Sequence, residues 1–400
     1  MSSWADLRTG QRIKHLRGSD LTQQGLAEAS GLSYALVQKA EQDRGELSVG
    51  SLLKLASALK TDISVVLGQQ APRQGTSRDT RAALRRLSDA VHDSALGDWD
   101  GVEDPSTLAD LSTARDRVVS TYWRGDYGEF SEVVAKVLLE GSLRHGQATG
   151  HEREQLGSVL ASAYQFASSA AVLLGQRDLA LSALTSAHRL AEDSGDVVLS
   201  SLVESTLSWI HLRSAKVPRA VAVAERAALR IEPSFSKPSR PQLVAYGRLM
   251  ISAAVAASRK GDADAADDYL SQAHASAARL GHDVSLYGTH FGPTFANTEA
   301  VGIAVALGNY GRALNLASRT ELSGSMPKLA RNRYKLDVAL AQCAAGLYDQ
   351  AADVLIDVGL DAPEWVRHQA LPGVIGQRIA KVSSAKVRHI SDVIGVPLIT

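Results

Sequence analysis

Apolar residues recur at helical spacing from the first dozen residues almost to the end of the 400-residue chain. Leu7, Ile13 and Leu16 predict a first helix over Asp6–Arg17. Thr22 is placed to N-cap a second helix that carries Gln23, Leu26, Ala27 and Ala29, and Gly31 supplies a turn after it. Ser33 caps a third, with Leu36, Val37, Ala40 and Glu41, which Gly45 stops. Ser48 caps a fourth with Val49, Leu52, Leu53, Ala56 and Leu59 on one face, and Ile63, Val66 and Leu67 form a short fifth. The run Gln69–Ser77 is rich in Pro, Gly and polar residues and reads as a linker. Thr80–Val91 is predicted helical with Leu84 and Leu87 inward, and Ser94–Ser106 reads as a loop.

From Leu108 onward the pattern is helix after helix, and it repeats. Gly175 and Ala180, Gly261 and Ala266, Gly308 and Ala313, and Gly346 and Ala351 share one spacing. Each Gly ends a helix, and each Ala sits early in the next, where two helices pack closely. Ala215–Ala220 is a degenerate copy and Gly125–Phe130 another candidate. The starts at 175, 215, 261, 308 and 346 lie 40, 46, 47 and 38 residues apart. Helix pairs repeating at such a period predict an α-solenoid, in which each pair buries its apolar face only against its neighbours.

Leu21–Gly45 reads as two short helices joined by a tight turn, the helix-turn-helix arrangement whose second helix enters the DNA major groove. LTQ at Leu21–Gln23, Leu26–Ala27, GLS at Gly31–Ser33, Val37, Glu41 and Arg44–Gly45 resemble the lambda-repressor-like (XRE) family. Two departures stand out. Gly25 replaces a good helix former and weakens its helix by ~1 kcal/mol relative to Ala, and Ala40 makes the local core small. GNYGRALNLA at Gly308–Ala317 and GLYDQAADVL at Gly346–Leu355 resemble the tetratricopeptide (TPR) signature, at a period longer than that family's ~34 residues. The combination is similar to XRE-plus-TPR regulators of filamentous actinobacteria, in which a segment like His290–Gly308 recurs before a repeat turn. The resemblance implies an all-α chain: a five-helix lambda-repressor-like DNA-binding domain at 1–70, a linker with a short helix at 71–107, and a TPR-like α-solenoid at 108–400 serving dimerisation and sensing.

Charge adds little. Lys plus Arg and Asp plus Glu are both 43, and residues 1–70 hold eight basic against seven acidic side chains. A DNA-binding chain needs to be basic on one face only, and so modest a balance predicts a shallow salt dependence. Arg73, Arg78, Arg81, Arg85 and Arg86 add charge just beyond, against Asp79 and Asp89. Cys343 is the only cysteine, so no intrachain disulfide is possible. Arg8, Arg12, Lys14 and Arg17 interrupt any signal-like apolar run, and no stretch reads as bilayer-spanning, so a cytoplasmic location is expected.

The XRE resemblance places Tyr34, Ala35, Gln38 and Lys39 at the groove. Gln38 can pair bidentately with adenine, Lys39 can reach guanine or a phosphate, and Tyr34 and Ala35 can pack on thymine methyls. Gln23, Ser33 and Arg44 are the phosphate candidates, Gln23 with its helix dipole aimed at the backbone. The plainer alternative makes Tyr34 and Gln38 solvated polar residues; Leu36 reads as partial core. In the array, Tyr246, Arg248, Asn297, Arg331, Asn332 and Tyr334 are candidates for a concave surface that binds a peptide or small molecule, or else are surface polars and inter-repeat contacts.

Enzyme signatures are incomplete. Gln155 stands where His151-Glu152 would need a second His for zinc, and the chain has no phosphate-binding loop and no nucleophile elbow. No cofactor or metal is implied. The expected function is a homodimeric regulator on a palindromic operator of double-stranded DNA. The alternatives are a TPR interaction adaptor and an effector-independent plasmid or phage repressor or antitoxin.

Overall fold

The computed structural model describes the chain apart from residues 1–3, 5–6, 19–20, 45–46, 60, 62, 69–77, 235, 383–385, 396–397 and 399–400. The expected linker at 69–77, and the expected bounding residues Asp6 and Gly45, lie outside the described residues.

Five helices form the N-terminal head: α1 (Thr9–Arg17), α2 (Gln23–Ser30), α3 (Tyr34–Glu41), α4 (Val49–Ala58) and α5 (Ile63–Val66). Local signals set their ends. Thr22 Oγ1 accepts from the Gly25 amide at 2.9 Å, Ser33 Oγ from Leu36 at 3.3 Å and Ser48 Oγ from Ser51 at 3.0 Å. Gly31 closes α2 in the left-handed region at φ 64°. Ile13, Leu26, Val37, Leu52, Leu55 and Val66 are buried between them.

After α6 (Arg78–Leu96), six helix pairs follow: α7 (Leu108–Arg124) with α8 (Tyr127–Gln147), α9 (Gly150–Leu173) with α10 (Arg177–Asp193), and α11 (Val197–Arg213) with α12 (Val217–Arg230). Then come α13 (Arg240–Lys260) with α14 (Ala263–Leu280), α15 (Pro293–Ala306) with α16 (Tyr310–Arg319), and α17 (Lys328–Ala344) with α18 (Tyr348–Asp361). Every pair turns at a left-handed residue: Gly125, Gly175, Ala215, Gly261, Gly308 and Gly346, with φ between 56° and 84°. Five residues on from five of these turns, Ala180, Ala220, Ala266, Ala313 and Ala351 are all 0% exposed where the paired helices pack closely; after Gly125 the position is held by buried Phe130. Both degenerate copies of the motif are therefore true turns. Three short helices, α19 (Pro363–Arg367), α20 (Ala370–Ala380) and α21 (Val387–Ile394), end the chain.

Two features depart from the expected regular array. A two-stranded hairpin, β1 (Val284–Leu286) and β2 (Thr289–Phe291), stands between α14 and α15, with Val284 opposite Phe291. Its tip crosses to the first pair, where Trp123 Nε1 donates to the Gly288 carbonyl at 3.0 Å. The array also comes round on itself. α17 packs against α7, and the missing Cβ of Gly125 leaves room for Leu329 and Trp365. By length and composition α9 could cross a bilayer, which the sequence reading did not anticipate. Yet 89% of its most apolar window is buried, so here it serves as the array's central core helix.

Candidate nucleic-acid interface and array cavity

α3 packs on α1 and α2 and turns its other face outward. On that face Ala35, Gln38 and Lys39 are exposed, and Tyr34 is 45% exposed. Val37 and Ala40 point into the head, and Leu36 is half-buried, in line with partial core. The helix is held in place from beneath. Glu41 is buried, and its carboxylate accepts from Arg17 of α1 and from Gln23 Nε2 of α2 at 2.7 Å. Burial alone would raise the Glu41 carboxyl; the hydrogen bonds from Arg17 and Gln23 outweigh it and hold the group below its ordinary range.

Residues 13–66 match the Helix-turn-helix family model. The head is an XRE-like helix-turn-helix. A head of this kind makes the chain a DNA-binding regulator. No curated protein and no solved structure matches the chain. The family match stops at residue 66, so it carries nothing about the array.

Of the phosphate candidates on the helix-turn-helix, Arg44 is exposed just past α3. Ser33 uses its oxygen as the cap of α3. Gln23 departs from expectation. Its amide nitrogen is bound to Glu41 and its oxygen accepts from Tyr34 Oη at 3.4 Å, so the side chain braces α3 from within the head.

The six array candidates do not come together. Arg248 alone of the set lines the array's cavity. Asn297 is exposed on α15. Asn332 is buried and donates to Asp361 Oδ2 at 2.8 Å, an inter-helix bond. Tyr334 Oη donates to the Ala317 carbonyl at 3.4 Å, Arg331 Nη2 to the Met326 carbonyl at 3.2 Å, and Tyr246 to Gln272. Asn332 and Tyr246 thus bond within their own helix pairs, Arg331 bonds locally and Tyr334 reaches the preceding pair, the inter-helix use that the sequence left open beside ligand binding.

The cavity measures about 340 Å³ and is lined from the first helix of every pair, α7 through α17, together with the hairpin and the C-terminal helices. Trp123, Phe166, Trp209 and Phe295 give it an aromatic wall. Arg213, Arg248, Arg259 and Arg333 share it with two carboxylates, Glu299 and Asp337. Arg333 pairs with Asp337 at 3.1 Å. Arg248 lies 4.6 Å above the Phe295 ring centroid, a cation–π arrangement. Burial pushes Arg248 down and Arg259 down to about 10, and raises the Glu299 carboxyl in spite of the arginines around it.

The head also lines this cavity on one side. Val49 and Leu53 of α4 and Ile63 of α5 belong to its lining. α4 rests on α20, and Thr9 Oγ1 donates to Gln377 Oε1 at 3.3 Å. The single apolar face expected for α4 is therefore two surfaces: Leu52, Leu55 and Ala56 serve the head's own core, while Val49 and Leu53 serve the array.

Proposed function

We propose that this chain regulates transcription as a homodimer on a palindromic operator, with an effector in the array setting its operator affinity. One observation carries the reading: α3 is outward and accessible, while the opposite side of the same small head forms a wall of the array's cavity. Tyr34, Ala35, Gln38 and Lys39 read base edges. Ser33, Arg44 and the backbone amides that start α2, at Gln23, hold phosphates. One recognition helix spans few base pairs, so two heads are needed about 34–36 Å apart. An effector that prefers one seating of the head on the array shifts the population whose two helices fit that spacing.

A cavity of about 340 Å³ with converging polar groups favours a small effector over the adaptor reading, which calls for a wide open groove. The test is to map genomic DNA bound by the intact chain, and to repeat the mapping with Tyr34→Ala and Lys39→Ala together. Enrichment of one symmetric motif that the double variant loses supports the reading. Uniform recovery of DNA, or a motif indifferent to both changes, ends it.

A further inference from the structure

The cavity has an electrostatic imbalance. Four guanidinium groups share its wall with two carboxylates. One carboxylate, Asp337, is pinned against Arg333 and sits 2.9 Å from where a Cβ on Gly302 would lie. The other, Glu299, is moved by burial toward its neutral form. Arg248 meets the charge of Glu299, and Arg259 those of Asp337 and Glu299, only through space. A half-buried cation without a bonded counter-ion is costly, and a fold keeps such groups where an outside anion completes them.

Shape narrows the class. At about 340 Å³ the space lies at the lower end of the roughly 300–1,000 Å³ of ligand pockets. That suits a small molecule better than a helix or a long peptide. The aromatic wall, with Ile251 and Ile303, suits a flat apolar body. Arg248 lies over the Phe295 ring, and a guanidinium held on an aromatic face can still offer its planar fork to an oxyanion.

We infer that the cavity is the binding site of a small organic anion, a carboxylate or phosphate monoester on a planar apolar body, held by Arg248 and Arg259. Val49 and Leu53 of the head line the same cavity as the array residues, so an occupant there is placed to bear on how the head is seated. In that respect it rests on the regulator reading above and names the effector's chemistry. Binding itself is read without DNA.

The test titrates the full chain with 2-naphthoate, 1-naphthyl phosphate and the neutral 2-naphthamide. Calorimetry and the fluorescence of Trp123 and Trp209 are the readouts. Saturable binding of at least one acid at sub-millimolar concentration, ten-fold or more above the amide, is expected. The better of the two acids identifies the head group. Arg248→Gln and Arg259→Gln should each weaken that binding at least ten-fold while the unliganded chain melts at the same temperature or higher, because each removes a costly buried charge. Amide binding as tight as the acids, no saturable binding of either acid, or full binding by both variants overturns the site. The amide comparison needs no variant, so it stands even if a substitution misfolds. Operator affinity is measured separately by anisotropy. Acid binding that leaves operator affinity unchanged supports the site and removes the effector role from the regulator reading; loss of operator binding as such touches only that reading.

Discussion

Arg17 Nε donates to Glu41 Oε1 at 2.5 Å, tying α1, the first helix of the head, to the last turn of α3. The Glu41 side chain is 2% exposed and that of Arg17 14%, so water does little to screen the pair. Gln23 adds the third element by donating to Oε2 of the same carboxylate. One carboxylate thus sets the tilt of α3 against both neighbours. Glu41→Ala leaves the Arg17 guanidinium with only the Gly18 and Leu21 carbonyls as acceptors, a loss of about 1–3 kcal/mol, below that of a fully buried broken pair. The expected outcome is faster amide exchange across α1–α3 with little change in α9–α14, and weaker operator binding. Exchange unchanged in the head would show that the pair does not hold α3.

The left-handed turns offer a cleaner measurement. Ala215 takes φ 56° at the place where five of the six pairs have Gly. A left-handed alanine costs roughly 1–2 kcal/mol, part of which glycine returns through its freer unfolded chain. Ala215→Gly should therefore stabilise by about 0.5–1 kcal/mol, and Gly261→Ala should destabilise by a similar amount. Denaturant midpoints decide it; a lower midpoint for Ala215→Gly would refute the turn geometry.

Contacts at α3 can be sorted by their sensitivity to salt. Lys39 and Gln38 are both exposed, but only Lys39 carries charge. If Lys39 reaches a guanine, Lys39→Ala costs about 1–3 kcal/mol on the preferred operator and relaxes specificity at one position; if it reaches a phosphate, the loss is uniform and the salt slope falls by about one. Gln38→Ala should lower specificity with the slope intact. Operator titrations at several salt concentrations separate the outcomes.

Short-range features were legible in the sequence because their causes are local. Thr22, Gly31 and Ser33 bound their helices through hydrogen bonds three residues away or through one backbone angle. The Gly-to-Ala spacing marked the pair turns for the same reason. What the chain hid depends on partners far away. Asn332 looks like a ligand-facing amide until Asp361, on the next helix, is seen to accept from it. Val49 and Leu53 look like head core until α20 and the cavity are placed beside them. The hairpin left a faint signal: Val284 and Leu286, then Thr289 and Phe291, flank Tyr287–Gly288, both at positive φ. Three-residue strands within a helical series are too short for periodicity to reveal.

Acid should loosen the array before it affects the head. Burial, helped by the positive charges of Arg367 and Arg213, pushes His368 down to about 4. Burial likewise lowers His145, His211, His274 and His290. A histidine kept neutral in the fold binds fewer protons than in the unfolded chain between its two pKa values. Stability is thus complete above the unfolded value near 6.5 and declines as pH falls toward 4. For His368 the full loss is roughly 3 kcal/mol. Glu41 has a depressed carboxyl, and its contribution is lost only at lower pH, below the ordinary carboxylate value. Urea midpoints of the full chain should hold steady above pH 7 and drop between pH 6.5 and 4, and His368→Asn should flatten part of that drop. A midpoint that rises on acidification, or a slope identical in His368→Asn, would show that the imidazole is already charged in the fold.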